Sequence, residues 1–170
     1  MKRILSIMLL CFVLIGCAKS VDPTEPPVLN IIQTDPVTTP ELTETAGEAL
    51  VSFSVYLPND NADGFVVHTV ESSQIDGGSV LATLQAYGVL PETVAINDFS
   101  SRGEELHIDF NEVFGQLVSS TGTSGERMIV GSVVNTYLSA SQAGSLSFTV
   151  NGEILESGHV IYDFPITFME

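Results

Sequence analysis

Hydrophobic and polar residues alternate along 51–57, with Val51, Phe53, Val55 and Leu57 on one face and Ser52, Ser54 and Tyr56 on the other. A period of two predicts a strand with one buried face. The polar run 58–64 breaks it, and 65–70 predicts a second strand, so the pair forms a hairpin around a long acidic turn. Over 78–87 the period lengthens. Val80, Leu81, Leu84 and Tyr87 recur at helical spacing, Gly88 supplies the stop, and Pro91 follows soon after. Residues 95–99 predict a short strand. Residues 105–110 predict a stronger one, with Leu106, Ile108 and Phe110 inward and His107 and Asp109 outward. Val113, Phe114 and Leu117 then predict a helical turn before a loop rich in Gly, Ser and Thr over 119–125.

Thr123 and Glu126 fit a capping box that opens a helix over 124–139. Its wide apolar stripe (Ile129, Val130, Val133, Val134, Tyr137, Leu138) marks it as the expected central core helix. After it Leu146, Phe148 and Val150 alternate, Asn151-Gly152 supplies a two-residue turn, and 153–155 starts back as a closing hairpin. Residues 159–168 have a mixed pattern and predict a last strand. Strands, helix, strands, helix, strands is the order of an α+β fold: a single small domain with a mixed or antiparallel sheet and two main helices packed on it.

The pattern holds only from residue 49 onward. Over 17–48 proline recurs (Pro23, Pro26, Pro27, Pro36, Pro40) among Thr and acidic residues without an apolar period, which predicts an extended, disordered tether. A strand at 28–32 packing on the domain is the alternative there. Residues 1–16 read as a signal peptide: Lys2 and Arg3, then an apolar run over 4–15, too short to cross about 30 Å of hydrocarbon as a helix. Leu14-Ile15-Gly16-Cys17 resembles the bacterial lipobox, which makes Cys17 the expected lipidation site and places the chain on the extracytoplasmic face of the cell membrane. An ordinary secretory signal with a chance cysteine, or an uncleaved anchor, is the competing reading. Cys11 leaves with the leader, so the mature domain carries no free thiol, disulfide or cysteine metal site.

Charge narrows the partners further. The mature chain keeps Lys19, Arg102 and Arg127 against all 21 acidic residues, a formal charge of −18. That surface repels nucleic acid and anionic headgroups, so membrane attachment has to be covalent.

Three stretches carry a family likeness: Val55-Tyr56-Leu57-Pro58-Asn59, then Leu106-His107-Ile108-Asp109-Phe110 with Glu112 and Phe114, and the helix Ile129-Val130-Gly131-Ser132-Val133-Val134-Asn135-Thr136-Tyr137-Leu138 running into 146–152. Together they resemble the GerMN domain of spore-germination and sporulation proteins and of other bacterial envelope lipoproteins, across roughly 51–168. The family commonly has Thr-Leu where this chain has Thr136-Tyr137, and some members carry two copies where this chain has room for one. The resemblance implies a non-enzymatic extracytoplasmic module and suggests no catalytic residues to carry over.

Candidate chemistry is sparse. Asn59, Asn61 and Asp63 precede Gly64 as in a calcium loop, but the twelfth position is Val70, with Glu71 one place late. The same residues suit a long turn. His68, His107 and His159 are the only histidines, and none has a neighbour at metal-binding spacing. Glu104, Glu105, Asp109 and Glu112 supply carboxylates, with Asp109 reading as solvated strand surface, and the chain has no Trp to stack on sugar. The loop 119–125 lacks the lysine and spacing of a phosphate loop. The expectation is a lipid-anchored interaction module binding an envelope protein or peptidoglycan in sporulation or germination, through sheet edges or the 119–125 loop. It has no catalytic, cofactor or metal residues. The alternatives are a small-solute or glycan-binding lipoprotein and, behind it, an envelope hydrolase.

Overall fold

A computed structural model describes residues 49–170, so the signal peptide, Cys17 and the tether lie outside the described residues. The chain opens with a hairpin. Strand β1 (Val51–Pro58) pairs antiparallel with β2 (Phe65–Ser72), Phe53 opposite Val70 and Val55 opposite His68. Phe53 and Val55 are buried, as their alternation requires. The turn closes through Asn59 N–H donating to the Gly64 carbonyl at 2.9 Å.

Helix α1 (Gly77–Ala86) starts at a capping box, in which Asp76 accepts from the Ser79 N–H and Ser79 Oγ accepts from the Asp76 N–H. The Ser79 N–H is the largest influence on the Asp76 carboxyl and holds it below the usual carboxylate value. The helix buries Val80, Leu81 and Leu84 and ends at Gly88, whose φ of +74° is the left-handed conformation glycine tolerates. Strands β3 (Ile96–Arg102) and β4 (Glu105–Phe110) follow as an antiparallel pair with a bulge between Ile96 and Asp98.

Where a single helical turn and a loop were expected, the chain builds helix α2 (Glu112–Ser120). Phe114 and Val118 are buried, and the Phe114 ring stacks on Phe110 with centroids 4.2 Å apart. Only Thr121 and Gly122 separate it from helix α3 (Thr123–Ser141), so 119–125 is mostly helical and not a long loop. Gly122 is the residue preceding α3, and no side chain caps that end. Thr123 therefore lies inside the helix, and Glu126 does not reach back to complete a capping box. Instead it turns inward, only 2% exposed, and its Oε1 accepts from Ser157 Oγ and Tyr162 Oη, both at 2.6 Å.

Strand β5 (Ser145–Val150) pairs with β4 in parallel, Leu106 opposite Leu146 and Ile108 opposite Phe148. The α2–α3 crossover brings the chain back to the start of the sheet, as a parallel pair demands. The Asn151-Gly152 turn forms, with φ of +51° and +79°, but the expected closing hairpin stops after the Val150–Glu153 bridge. The far side of β5 is met at Leu146 by Ile166, in an antiparallel bridge. The class is α+β, with three helices and two sheets, β1-β2 and β3-β4-β5.

Helix α3 sits at the centre. Val130, Val133, Val134, Tyr137 and Leu138 join the core, and Gly131, Ser132, Asn135 and Thr136 are buried as well. Tyr137 Oη donates to the Gly77 carbonyl at 2.8 Å and ties α3 to the start of α1. Burial, reinforced by the Asp76 charge, pushes its phenol pKa up.

Candidate interaction surfaces

The first candidate surface is the β1-β2 hairpin. Hydrogen-bonded and non-bonded pairs alternate in an antiparallel ladder. The Asn59–Gly64 bond sets the phase, so Val55 and Leu57 turn their backbone groups toward β2. Ser54 and Tyr56 turn theirs away. Their N–H groups donate to Ser139 Oγ at 3.0 Å and Thr136 Oγ1 at 3.1 Å, so two hydroxyls of α3 seal the outer edge of β1.

On β2 the same phase turns the backbone of Phe65, Val67, Thr69 and Glu71 outward. No second strand pairs with β2 among the described residues. Val66 and Val67 are 47% and 52% exposed, one on each side of the ribbon. A regular edge with apolar residues is the kind a partner strand extends. Charge limits self-association, because Glu71 sits on this strand and Asp60 and Asp63 in its turn.

The second candidate is the open face of the three-stranded sheet. Side chains there form a chain across β4 and β5. Ser147 Oγ lies 3.2 Å from Glu105 Oε1 and 3.3 Å from His107 Nδ1, and Thr149 Oγ1 lies 3.5 Å from His107 Nε2. Thr149 Oγ1 also donates to Asp109 Oδ1 at 2.6 Å. Asp109 accepts further from the Gly152 N–H at 2.7 Å and from Asn97 Nδ2, the bulge residue, at 3.0 Å.

Asp109 is therefore half-buried and fully engaged, and not the solvated surface group its position in the pattern suggested. Partial burial acts to raise its pKa, but the bonds from Thr149, Gly152 and Asn97 and the nearby His107 outweigh it and hold the carboxyl below its usual value. Both carboxylates bond hydroxyls, and the imidazole lies between two hydroxyls, so the order nucleophile–imidazole–carboxylate is not assembled. The face is a cross-strand polar ladder.

The remaining predicted residues are scattered. Asn59 Nδ2 donates to Asp63 Oδ1 at 2.8 Å, and Asn59 Oδ1 accepts from the Asp63 N–H, so the would-be calcium ligands tie the turn to itself. His68 packs beside Tyr87 on the hairpin, His107 lies in the ladder, and His159 follows Gly158 in the last segment. No cluster of three His, Cys, Asp or Glu suited to a metal occurs among the described residues. Glu112 accepts from Gln116 Nε2 one helical turn away, on the opposite end of β4 from Glu104 and Glu105.

The family model that matches this sequence is Germane, described as sporulation and spore germination, and it spans residues 54–156. The chain belongs to the Germane, or GerMN, family. The match runs from within β1 through β5, somewhat less than the 51–168 read from the sequence. Among solved structures, the first GerMN domain of the sporulation protein GerM from Bacillus subtilis is similar at 18% identity and a TM-score of 0.43, covering 61% of this chain and 84% of that one. The tandem GerMN domains of the same protein give 17% identity and 0.46, covering 77% of this chain and 48% of that one. A Clostridium perfringens protein classed provisionally as a lipoprotein gives 12% and 0.42, covering 69% and 87%. No curated protein is significantly similar in sequence.

Within the GerMN domain the family-like segment Asn135-Thr136 now has a physical role. Thr136 seals β1, and Asn135 pairs with the Met169 backbone, accepting from its N–H at 2.8 Å and donating to its carbonyl at 2.7 Å. The side chains that sequence reasoning missed, Ser147, Thr149 and the inward Glu126, sit at polar positions of amphipathic elements. Their partners lie 31 or more residues away.

Proposed function

We propose that this GerMN domain is a lipid-anchored interaction module on the extracytoplasmic face, which captures an envelope partner by extending its β1-β2 sheet at β2. The observation that carries the reading is the regular edge of β2, unpaired among the described residues, beside a β1 edge that α3 has sealed. Membership of a family described by sporulation and spore germination supports an envelope role in those processes. The lipobox-like Leu14-Ile15-Gly16-Cys17 supports the anchor, and the strongly acidic chain supports a partner other than nucleic acid. A strand edge favours a protein partner over peptidoglycan, because its recognition groups are backbone N–H and C=O. The module does no chemistry of its own in this reading.

The test is a crosslinking pull-down from intact cells, analysed for proteins and peptidoglycan fragments, with Val67→Pro beside the natural chain. Proline at Val67 removes an N–H that faces away from β1, so the hairpin keeps its ladder while the edge loses a donor. The expected result is one envelope protein recovered with the natural chain and lost with Val67→Pro, at unchanged melting temperature. Equal recovery with both chains would place the interface elsewhere.

A further inference from the structure

The side chains of β2 set a pattern along its edge. Phe65, Val67, Thr69 and Glu71 share one face of the ribbon, and Val66, His68, Val70 and Ser72 share the other. The half-exposed Val66 and Val67 are therefore sequence neighbours on opposite faces. On the Val67 face, β1 supplies Tyr56 directly opposite, and the Phe168 ring meets Tyr56 edge-on with centroids 5.1 Å apart. On the Val66 face, Leu57 lies opposite. A strand laid beside β2 would cover apolar surface on both faces at this one place.

The ends of the edge are acidic. Glu71 is exposed on the Val67 face, four residues further along, and the turn beyond Phe65 carries the exposed Asp60 and Asp63. The surrounding sequence supplies no counter-charge. Between Lys19 and Arg102 the chain has twelve acidic residues and no Lys or Arg. Arg102 ends β3, and Arg127 donates to the Glu170 carbonyl. The edge is apolar in the middle and negative at both ends.

We propose that the β2 edge selects a basic, strand-forming protein segment with two adjacent apolar residues seated beside Val66 and Val67. Four residues from the one beside Val67 it carries Lys or Arg, seated beside Glu71, and a second basic residue lies at the turn end. This partner chemistry rests on β2 being the interface, as proposed above. The spacing of four holds for either strand direction, because opposed residues advance one for one in both. Opposite charges facing each other across a strand pair stabilise it, and like charges destabilise it. A second copy of this chain is the poorer occupant, since its own β2 would bring Glu71 and no base to the edge.

The experiment follows amide chemical shifts of the full chain on titration with acetylated, amidated octapeptides. The basic probes are Lys-Thr-Ser-Thr-Val-Val-Ser-Lys and the same sequence reversed, one for each strand direction. The controls carry Glu in place of both lysines, or Thr in place of both valines. The expected result is shifts centred on residues 65–72 with a basic probe, binding about fivefold or more tighter than the Glu control. That gap should narrow in about 1 M salt, where the screening length is about 3 Å. The Thr control should bind more weakly than the basic probe. Glu71→Lys should weaken the basic probe and strengthen the Glu control. Equal binding by basic and Glu probes, both lost with Val67→Pro, would overturn the charge pattern and leave β2 as the interface. Binding undiminished by Val67→Pro, or shifts centred elsewhere, would overturn the interface and this partner together. No binding by any probe would overturn the partner chemistry, with the pull-down still deciding the interface. Concentration-dependent β2 shifts without peptide would give the edge to a second copy and overturn it as well.

Discussion

Asp109 shows how one carboxylate can brace a sheet. It links β5 through Thr149, the Asn151-Gly152 turn through the Gly152 N–H, and the β3 bulge through Asn97. Its pKa is depressed from 3.8 in the fold, so its stabilisation is present above that value and is lost as pH falls through the lower folded-state value. Asp109→Asn is expected to lower stability by about 1 kcal/mol at pH 7, with the difference from the natural chain shrinking in denaturation measured as pH falls from 3.8 through the lower folded-state value. Tyr137 is a second case. In the family pattern it looked like an apolar exchange for leucine, yet its hydroxyl reaches the Gly77 carbonyl, a partner 60 residues away that no local pattern reveals. Glu126 failed as a sequence reading for the same reason. Thr123 and Glu126 have capping-box spacing, but Ser157 and Tyr162 were waiting on the inside of the fold and took the carboxylate.

At the scale of elements, α3 is the piece on which the others are built. Its Gly131 lies under the Phe65 ring, and a Cβ there would come within 2.4 Å of Phe65 Cζ, so the hairpin rests directly on helix backbone. Gly131→Val is expected to cost about 2 kcal/mol in chemical denaturation, by forcing Phe65 off the helix. An unchanged midpoint would mean that the ring is not held there. Strands β1 and β4 and helix α3 were legible from the sequence because each keeps one clean period over its length. Helix α2 was legible only as a turn, since Gly115, Ser119 and Ser120 dilute its apolar stripe. The parallel partner of β5 was not legible at all. Alternation at Leu146, Phe148 and Val150 states which face is buried and says nothing about the neighbour, and Asn151-Gly152 pointed to the wrong one. The edge of β2, unpaired among the described residues, has no local signature, because it is defined by what the rest of the chain covers.

In the proposed function the whole molecule is organised around attachment at one end and recognition at the second strand of its first hairpin. The proposed anchor gives a direct expectation: Cys17→Ser should abolish acyl labelling and release the chain from the membrane fraction, and persistent labelling would refute the lipidation. No helix of the described residues is long and apolar enough to cross a membrane, so in this proposal retention rests on the acyl chains. The sealing of β1 by Thr136 and Ser139 also sets a schedule for synthesis. A two-stranded hairpin is marginal alone, and this one lacks its α3 cover until residue 139 has been made. At roughly 5 to 20 residues per second, the stretch from Ser72 to Ser139 takes on the order of ten seconds. Through that interval both edges lack that cover, and the negative charge of the chain opposes pairing between neighbouring copies.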